Sequence, residues 1–405
     1  MKRFILTTLP ILPLVVSVTA CGDDGDPAIE EGTGTGSVDT GTPTPAESGD
    51  VVDESGDSGT AADTTGEEQS GIPVLGDLGH TLDDVVLEVI ATGLETPTDA
   101  EFNPDAPEEL WVLNRNSSVM IVSNPGEANQ AELMRIGTTF NNGTHFLAKP
   151  AALAFGQPGS MATAQQEDQI TQPSTPADFM GPTLWTSDSA IFDAGHPSHL
   201  DMLHNSPLAS GIAWEQGNVY WVYDGTHGSL TRYNFNEDHD LGGTDHTDGE
   251  LQRYADGQLG YQPGVVHHVV VHHEAALVYA ADPANNRVVA LDPSVGNPGG
   301  AIAPNYDGTT QTMIDGSSVT TLIDGATLEA AMEMPSGLEM DDGYLFVTDS
   351  ATSVIFGFDF DGNLVDWLDT GWPAGTLMGI AFDDEGRLYA VDAVMNQLVR
   401  ISPAE

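Results

Sequence analysis

Twelve histidines and 62 acidic residues supply most of the side chains in this 405-residue sequence that could do chemistry. Their spacing is uneven. His196, His199 and His204 share nine positions with Asp201, and His267 and His268 are adjacent. Imidazoles mixed with carboxylate are the donor set of zinc, copper or iron sites. His196, His199, His204, His267 and His268 are therefore the candidate ligands of a transition metal, or the lining of a ligand site. The plainer alternative is a set of polar side chains bonded to loop backbone. A second group, Asp238, Asp240, Asp245 and Asp248 with Gly242, Gly243 and Gly249, has the composition of a calcium loop without the EF-hand register. A solvated acidic loop would have the same composition.

Other chemistries find less support. No Gly-rich phosphate loop follows a strand and opens a helix, so nucleotide chemistry has no footing. Gly-x-Ser-x-Gly and Ser-x-x-Lys are absent, which argues against a serine nucleophile of either familiar type. The single Cys excludes a disulfide framework and a thiolate zinc cluster. Lys and Arg number 10, leaving a formal charge of −52. That charge repels phosphate backbones, so no nucleic-acid partner is expected and cations are the natural ligands.

The elements that must position these residues repeat. A small or Pro-Gly-containing start leads into a short apolar strand, then a turn, then a strand ending in Asp. Clear copies are 335–340 with 345–349 and 378–382 with 388–392; weaker ones are 210–214 with 220–224 and 267–271 with 278–282. The most worn are 98–102 with 110–114 and 151–155 with 184–188. Third strands follow, as at 287–292, 354–359 and 397–401, and the only plausible short helix is 327–332. Six units of about 40 residues, none able to bury its own faces, predict a β-propeller. Asn114, Asp188, Asp224, Asp282, Asp349 and Asp392 recur at strand ends, which marks them as turn caps rather than a ring of ligands. In a four-stranded meander the 4→1 and 2→3 connections share one end. That rule places His196, His199, His204, His227, His267 and His268 on one face, and His239, His246, His272 and His273 on the other.

The phrase Pro-x-Gly-Ile-Ala, Leu-Tyr-Val-Ala-Asp, Arg-Val resembles the NHL repeat family over residues 85–401. The resemblance implies an all-β, six-bladed propeller. The chain stops after the third strand of unit six and a strand at 85–90 is left over, so 85–91 is expected to close the ring as the outer strand of the last blade. Among NHL-like propellers the peptidyl-amidoglycolate lyases set His from several blades on a central zinc. His267 stands where such a His would begin an inner strand, but Ser336-Gly337 and Met378-Gly379 hold the equivalent places in units five and six. The primary expectation is a binding module; the alternative is a metal-dependent lyase or hydrolase.

The amino end reads as an export segment. Lys2 and Arg3 precede an apolar run from Phe4 to Val18, and Val18-Thr19-Ala20-Cys21 resembles a bacterial lipobox. From Gly22 to about Gly71 hardly a large apolar residue occurs and Lys and Arg are absent, the composition of an extended disordered tether. The expected organisation is a signal peptide at 1–20, a lipid-anchored acidic linker at 21–80 and the propeller at 81–405. A lipid-anchored monomer in a bacterial cell envelope follows, on the outer membrane or cell surface with the inner membrane as the alternative, facing an extracellular or periplasmic ligand or protein. Cys21→Ser should move the protein from the membrane fraction to the soluble one; a variant that still fractionates wholly with membrane rules out the anchor.

Overall fold

The structure, a computed structural model, describes residues 70–136, 144–168, 179–194 and 198–404, all in the compact unit Glu67–Glu405. Cys21, the export segment, most of the tether and His196 lie outside the described residues.

The first strand, β1 (Val85–Thr92), belongs to the last blade. Blade one is β2 (Pro97–Phe102), β3 (Glu109–Asn114), β4 (Ser118–Ser123) and β5 (Ala131–Ile136). Blade two is β6 (Pro150–Phe155), β7 (Ser160–Gln165), β8 (Thr183–Thr186) and β9 (His199–Met202). Blade three is β10 (Ala209–Gln216), β11 (Val219–Asp224), β12 (Ser229–Asn234) and β13 (Glu250–Tyr254). Blade four is β14 (Val269–His272), β15 (Leu277–Asp282), β16 (Arg287–Leu291) and, after an inserted hairpin of β17 (Asn297–Ala301) and β18 (Thr310–Asp315), β19 (Val319–Asp324). Blade five is β20 (Pro335–Asp341), β21 (Tyr344–Asp349), β22 (Val354–Phe358) and β23 (Leu364–Asp369). Blade six is β24 (Leu377–Phe382), β25 (Leu388–Asp392) and β26 (Gln397–Pro403), completed by β1.

Ring closure is thus made by β1 running antiparallel to β26, from Val85 opposite Pro403 to Thr92 opposite Gln397. Strand periodicity explains why the blades stack. On β3, Leu110 and Val112 join a core shared with Tyr389, Val391 and Leu398 of blade six, while Trp111 and Leu113 join one shared with Leu153 and Trp185 of blade two. Alternate residues face opposite sides, and both sides of the blade are covered, so the strand reads as a continuous apolar run. At the axis the inner strands approach too closely for a side chain at some positions. A Cβ on Gly211 would fall 1.9 Å from the His267 carbonyl oxygen, and one on Gly337 2.2 Å from that of Met378.

Most strand-end residues act as caps. Asp224 accepts from the amides of Thr226 and His227, Asp349 from those of Ala351 and Thr352, and Asp392 from those of Val394 and Met395. Asp349 also accepts from Glu333, and Asn114 from Glu95, tying strand ends to the links that enter their blades.

Three features depart from the sequence reading. In blade two the second strand is Ser160–Gln165; 183–186 is the third strand, and Asp188 caps the turn after it. The alternation Met161, Thr163, Gln165 is too polar to announce a strand, whereas Leu184-Trp185 announces one loudly. Residues 327–332 form no helix beyond a 3₁₀ turn at Gly325–Thr327, since Met332 is drawn into the core between blades four and five. The packed part of the chain also begins before residue 81. Ile72, Val74 and Leu75 are buried beside blades five and six, and the Asp366 carboxylate accepts from the amides of Ile72 and Leu78.

Deleting residues 1–69 should leave the melting temperature unchanged. Removing 1–80 should cost a few kcal/mol, about the transfer energy of two to three buried aliphatic side chains, and removing 1–92 should cost more again by opening the ring. Equal melting temperatures for the three truncations would contradict this account of closure.

Candidate functional site

β9 is the outer edge of blade two, so its backbone carbonyls are open to a partner. The blade-three loop between β12 and β13 takes them: the His239 amide donates to the Leu200 carbonyl and the Gly242 amide to that of His199. This lays His239 and His246 against β9. Asp201, His239 and His246 then each offer a ligand atom, all within 4.8 Å of one another. The Asp201 Oδ1 lies 2.5 Å from His246 Nδ1, while its Oδ2 and the His239 Nε2 are buried and find no hydrogen-bond partner among the described residues.

The rings form a series: His199 to His239 at 5.1 Å between centroids, His239 to His246 at 5.2 Å, and His246 to His204 at 6.5 Å. Burial raises the Asp201 carboxyl above the ordinary value, opposed by the hydrogen bond from His246. For His246, burial pulls downward, but the bond and charge of Asp201 prevail and leave the imidazole above its ordinary value. A buried carboxylate beside two or more imidazoles is a donor set that could hold a divalent transition metal.

The sequence had set these residues on opposite faces. With 183–186 as third strand, 199–202 must be the fourth, and His199 starts it at the same end as the 236–249 loop. His204 follows β9 in the link to blade three, where it is buried and its ring bonds to the Asp307 carboxylate. The carboxylates expected to hold calcium serve their own loop: Asp238 accepts from the Asp240 amide, Asp245 from Thr247 and Asp248 from the Glu237 amide, and Asp240 is exposed. Sequence reasoning overlooked His239, His246 and Asp307 as site residues. The signal that could have found two of them was the pair of His within an acidic Gly-rich loop.

His267 and His268 lie elsewhere, at the axis. His267 is fully buried, stacked on Tyr261, and its Nε2 accepts from the Gln262 amide. Burial pushes it down to about 3. His268 Nε2 sits 3.6 Å from Asp99 Oδ1 across the inner strands, and burial lowers this imidazole to about 4. Asp99 and His268 occupy positions that are Gly211, Gly337 and Gly379 in blades three, five and six. An axial metal of the lyase kind would meet one imidazole and one carboxylate in that ring. His227 bonds to the Asp224 carboxylate at 2.8 Å.

Beyond Asp99 the axis carries Glu101 and Glu339, and burial raises all three carboxyls, Glu339 to about 7. Glu101 and Glu339 line a cavity of about 860 Å³, together with Asp341, Asp383 and Asp384 and with Phe102, Phe346 and Phe382.

No protein-family pattern matches this chain, and neither does any curated protein. Solved structures do. An auxiliary nutrient binding protein from Bacteroides thetaiotaomicron is similar at 12% identity and TM-score 0.52, over 77% of this chain and 70% of that one. Another from Bacteroides ovatus has 12% identity and TM-score 0.49 over 79% and 77%. A gluconolactonase from Xanthomonas campestris has 13% identity and TM-score 0.48 over 80% and 92%. At such identities the likeness is one of fold, the six-bladed propeller.

The axial carboxyls give a signed pH effect. Glu339 titrates near 7 when folded and near 4.3 when unfolded. The folded state therefore binds the extra proton, and its contribution to stability is lost as pH rises through that window. Glu339→Gln should melt higher than the parent at pH 8, by roughly a few degrees, and gain nothing at pH 4; a gain that is the same at both pH values would contradict burial of the charge.

Proposed function

We propose that this chain is a lipid-anchored β-propeller of a bacterial envelope that acts as a binding module and carries a divalent transition metal between blades two and three. The observation that carries the metal is the convergence of Asp201, His239 and His246, with two buried ligand atoms left unpartnered. Closing ligand atoms from within 4.8 Å to a common ion at about 2.0–2.2 Å requires only small movements of the glycine-bearing 236–249 loop. Two imidazoles and a carboxylate suit zinc, and the same donors accept copper or iron.

The anchor reading is supported by the sole Cys, which ends the apolar run and is followed by an acidic tether. Several acyl chains on one Cys would hold such a protein to a membrane stably, where one would not. The reading of an external ligand or protein partner is best supported by the cavity at Glu101 and Glu339, whose carboxyls favour a cationic group and whose phenylalanines favour an apolar body.

A propeller fold leaves binding and catalysis both open. Binding is supported by how the remaining histidines are engaged: His227 on Asp224, His267 on a backbone amide, His268 beside Asp99. The second reading, a metal-dependent lyase or hydrolase, rests on the same group, because three protein ligands with an open fourth position is the arrangement of a catalytic zinc.

Full-length protein, detergent-solubilised and stripped of metal, should bind about one equivalent of zinc by calorimetry, since one tetrahedral ion satisfies the group. His239→Ala and His246→Ala should each weaken binding by more than about 100-fold, beyond what loss of an outer-shell partner costs, with circular dichroism unchanged. Wild-type protein that takes up no zinc, copper or iron overturns the proposal.

A further inference from the structure

His204 lies next to this group, and two independent contacts hold its ring in place. Its Nδ1 is 2.5 Å from Asp307 Oδ1, and its backbone amide donates to the other oxygen of the same carboxylate at 2.9 Å. One face of the ring stacks on Phe179 at 3.8 Å. An imidazole that donates from Nδ1 to a carboxylate keeps its lone pair on Nε2, the arrangement that orients a metal-ligating His. That Nε2 is buried and finds no hydrogen-bond partner among the described residues. The His204 and His246 rings stand 6.5 Å apart at 86°. His204 lies outside the 4.8 Å group itself, but a buried acceptor with its proton fixed on the far side is a costly thing to leave unfilled beside three such ligand atoms.

We propose that His204, positioned by Asp307, is the fourth ligand of the metal held by Asp201, His239 and His246, and that the completed site is a structural clasp. The inference rests on the metal reading above and deepens it by naming the class of site. Three imidazoles and one carboxylate close a tetrahedral zinc shell, and a shell closed by protein leaves no position for a reacting water. The ligands come from separate parts of the fold. Asp201 is on β9 and His204 follows it, while His239 and His246 belong to the blade-three loop. Asp307 arrives from the hairpin inserted in blade four, whose β18 pairs in parallel with β13. Asn205 fastens the same insertion by donating to the Pro304 carbonyl and to Gln311 Oε1, each at 2.6 Å. The ion would therefore join blade two, blade three and the blade-four insertion at one point.

The test titrates metal-stripped full-length protein with zinc, follows cobalt(II) in the same site by its visible spectrum, and measures proteolysis of segments 236–249 and 302–309 with and without zinc. Wild type should show the intense bands of tetrahedral cobalt and zinc-dependent protection of both segments. His204→Gln should lose about 100-fold in zinc affinity, change the cobalt spectrum and abolish the protection. Asp307→Asn, which keeps the imidazole and the local shape, should lose about 10-fold, the range expected of an outer-shell partner, and decides the matter if His204→Gln does not fold. If both variants keep wild-type affinity and spectrum while His239→Ala and His246→Ala lose them, the fourth-ligand assignment is overturned and the three-ligand reading stands. If wild type binds no metal, both fall together.

Discussion

A propeller holds together only as a closed ring, and here closure depends on the backbone ladder between β1 and β26. Each blade buries its faces against two neighbours, so an open ring would expose one face of the first blade and one of the last. It would also leave β26 as an unpaired edge. Pairing β1 with β26 in a single sheet joins the start of the propeller to its last strand. The segment Ile72–Leu75 adds to this by packing beside blades five and six, with the Asp366 carboxylate accepting from the amides of Ile72 and Leu78.

The same geometry divides the chemistry. Near the axis the inner strands come so close that glycine is needed where a carbonyl of the next strand approaches, as at Gly211 and Gly337. Where Asp99 and His268 replace glycine, they face one another and are desolvated, and the carboxyls of Glu101 and Glu339 share that low-dielectric column. Each carboxylate accepts a backbone amide, from Leu153, Phe155 or Met340, which keeps it from being an unsatisfied buried charge. At the rim, outer strands have an unpaired edge, and the loops that cover those edges bring side chains of different blades together. The Asp201, His239 and His246 group is a product of edge covering: two backbone hydrogen bonds to the edge of β9 place the imidazoles there.

The His-rich parts of the chain therefore serve two unrelated environments. His267 and His268 are buried groups near the axis, whose burial lowers their affinity for a proton. His246 keeps a raised affinity for its proton because a carboxylate adjoins it. A transition metal needs the neutral imidazole, so a site of this kind gains its ion by displacing a proton from a pair that is already satisfied electrostatically.

Much of the architecture was legible in the sequence, because the signals for it are local. The repeated apolar strand with a terminal Asp, the leftover strand at 85–90 and the missing fourth strand of unit six together specify six blades and their closure. The caps at Asp224, Asp349 and Asp392 follow from residue chemistry alone. The fold also turned on blade two, where Ser160–Gln165 carries Thr163 and Gln165 on buried faces and so lacks the apolar alternation by which a strand is recognised. That one strand shifts the count, and with it the end of the blade at which His199 lies. The site was legible only in its ingredients. Histidines and carboxylates could be named, but which of them meet depends on an outer edge of one blade being covered by a loop of the next and by an insertion from the one after. Those are contacts between residues such as His204 and Asp307, more than 100 positions apart, and only tertiary packing decides them, because nothing in local spacing encodes a pairing made by backbone hydrogen bonds across a blade boundary.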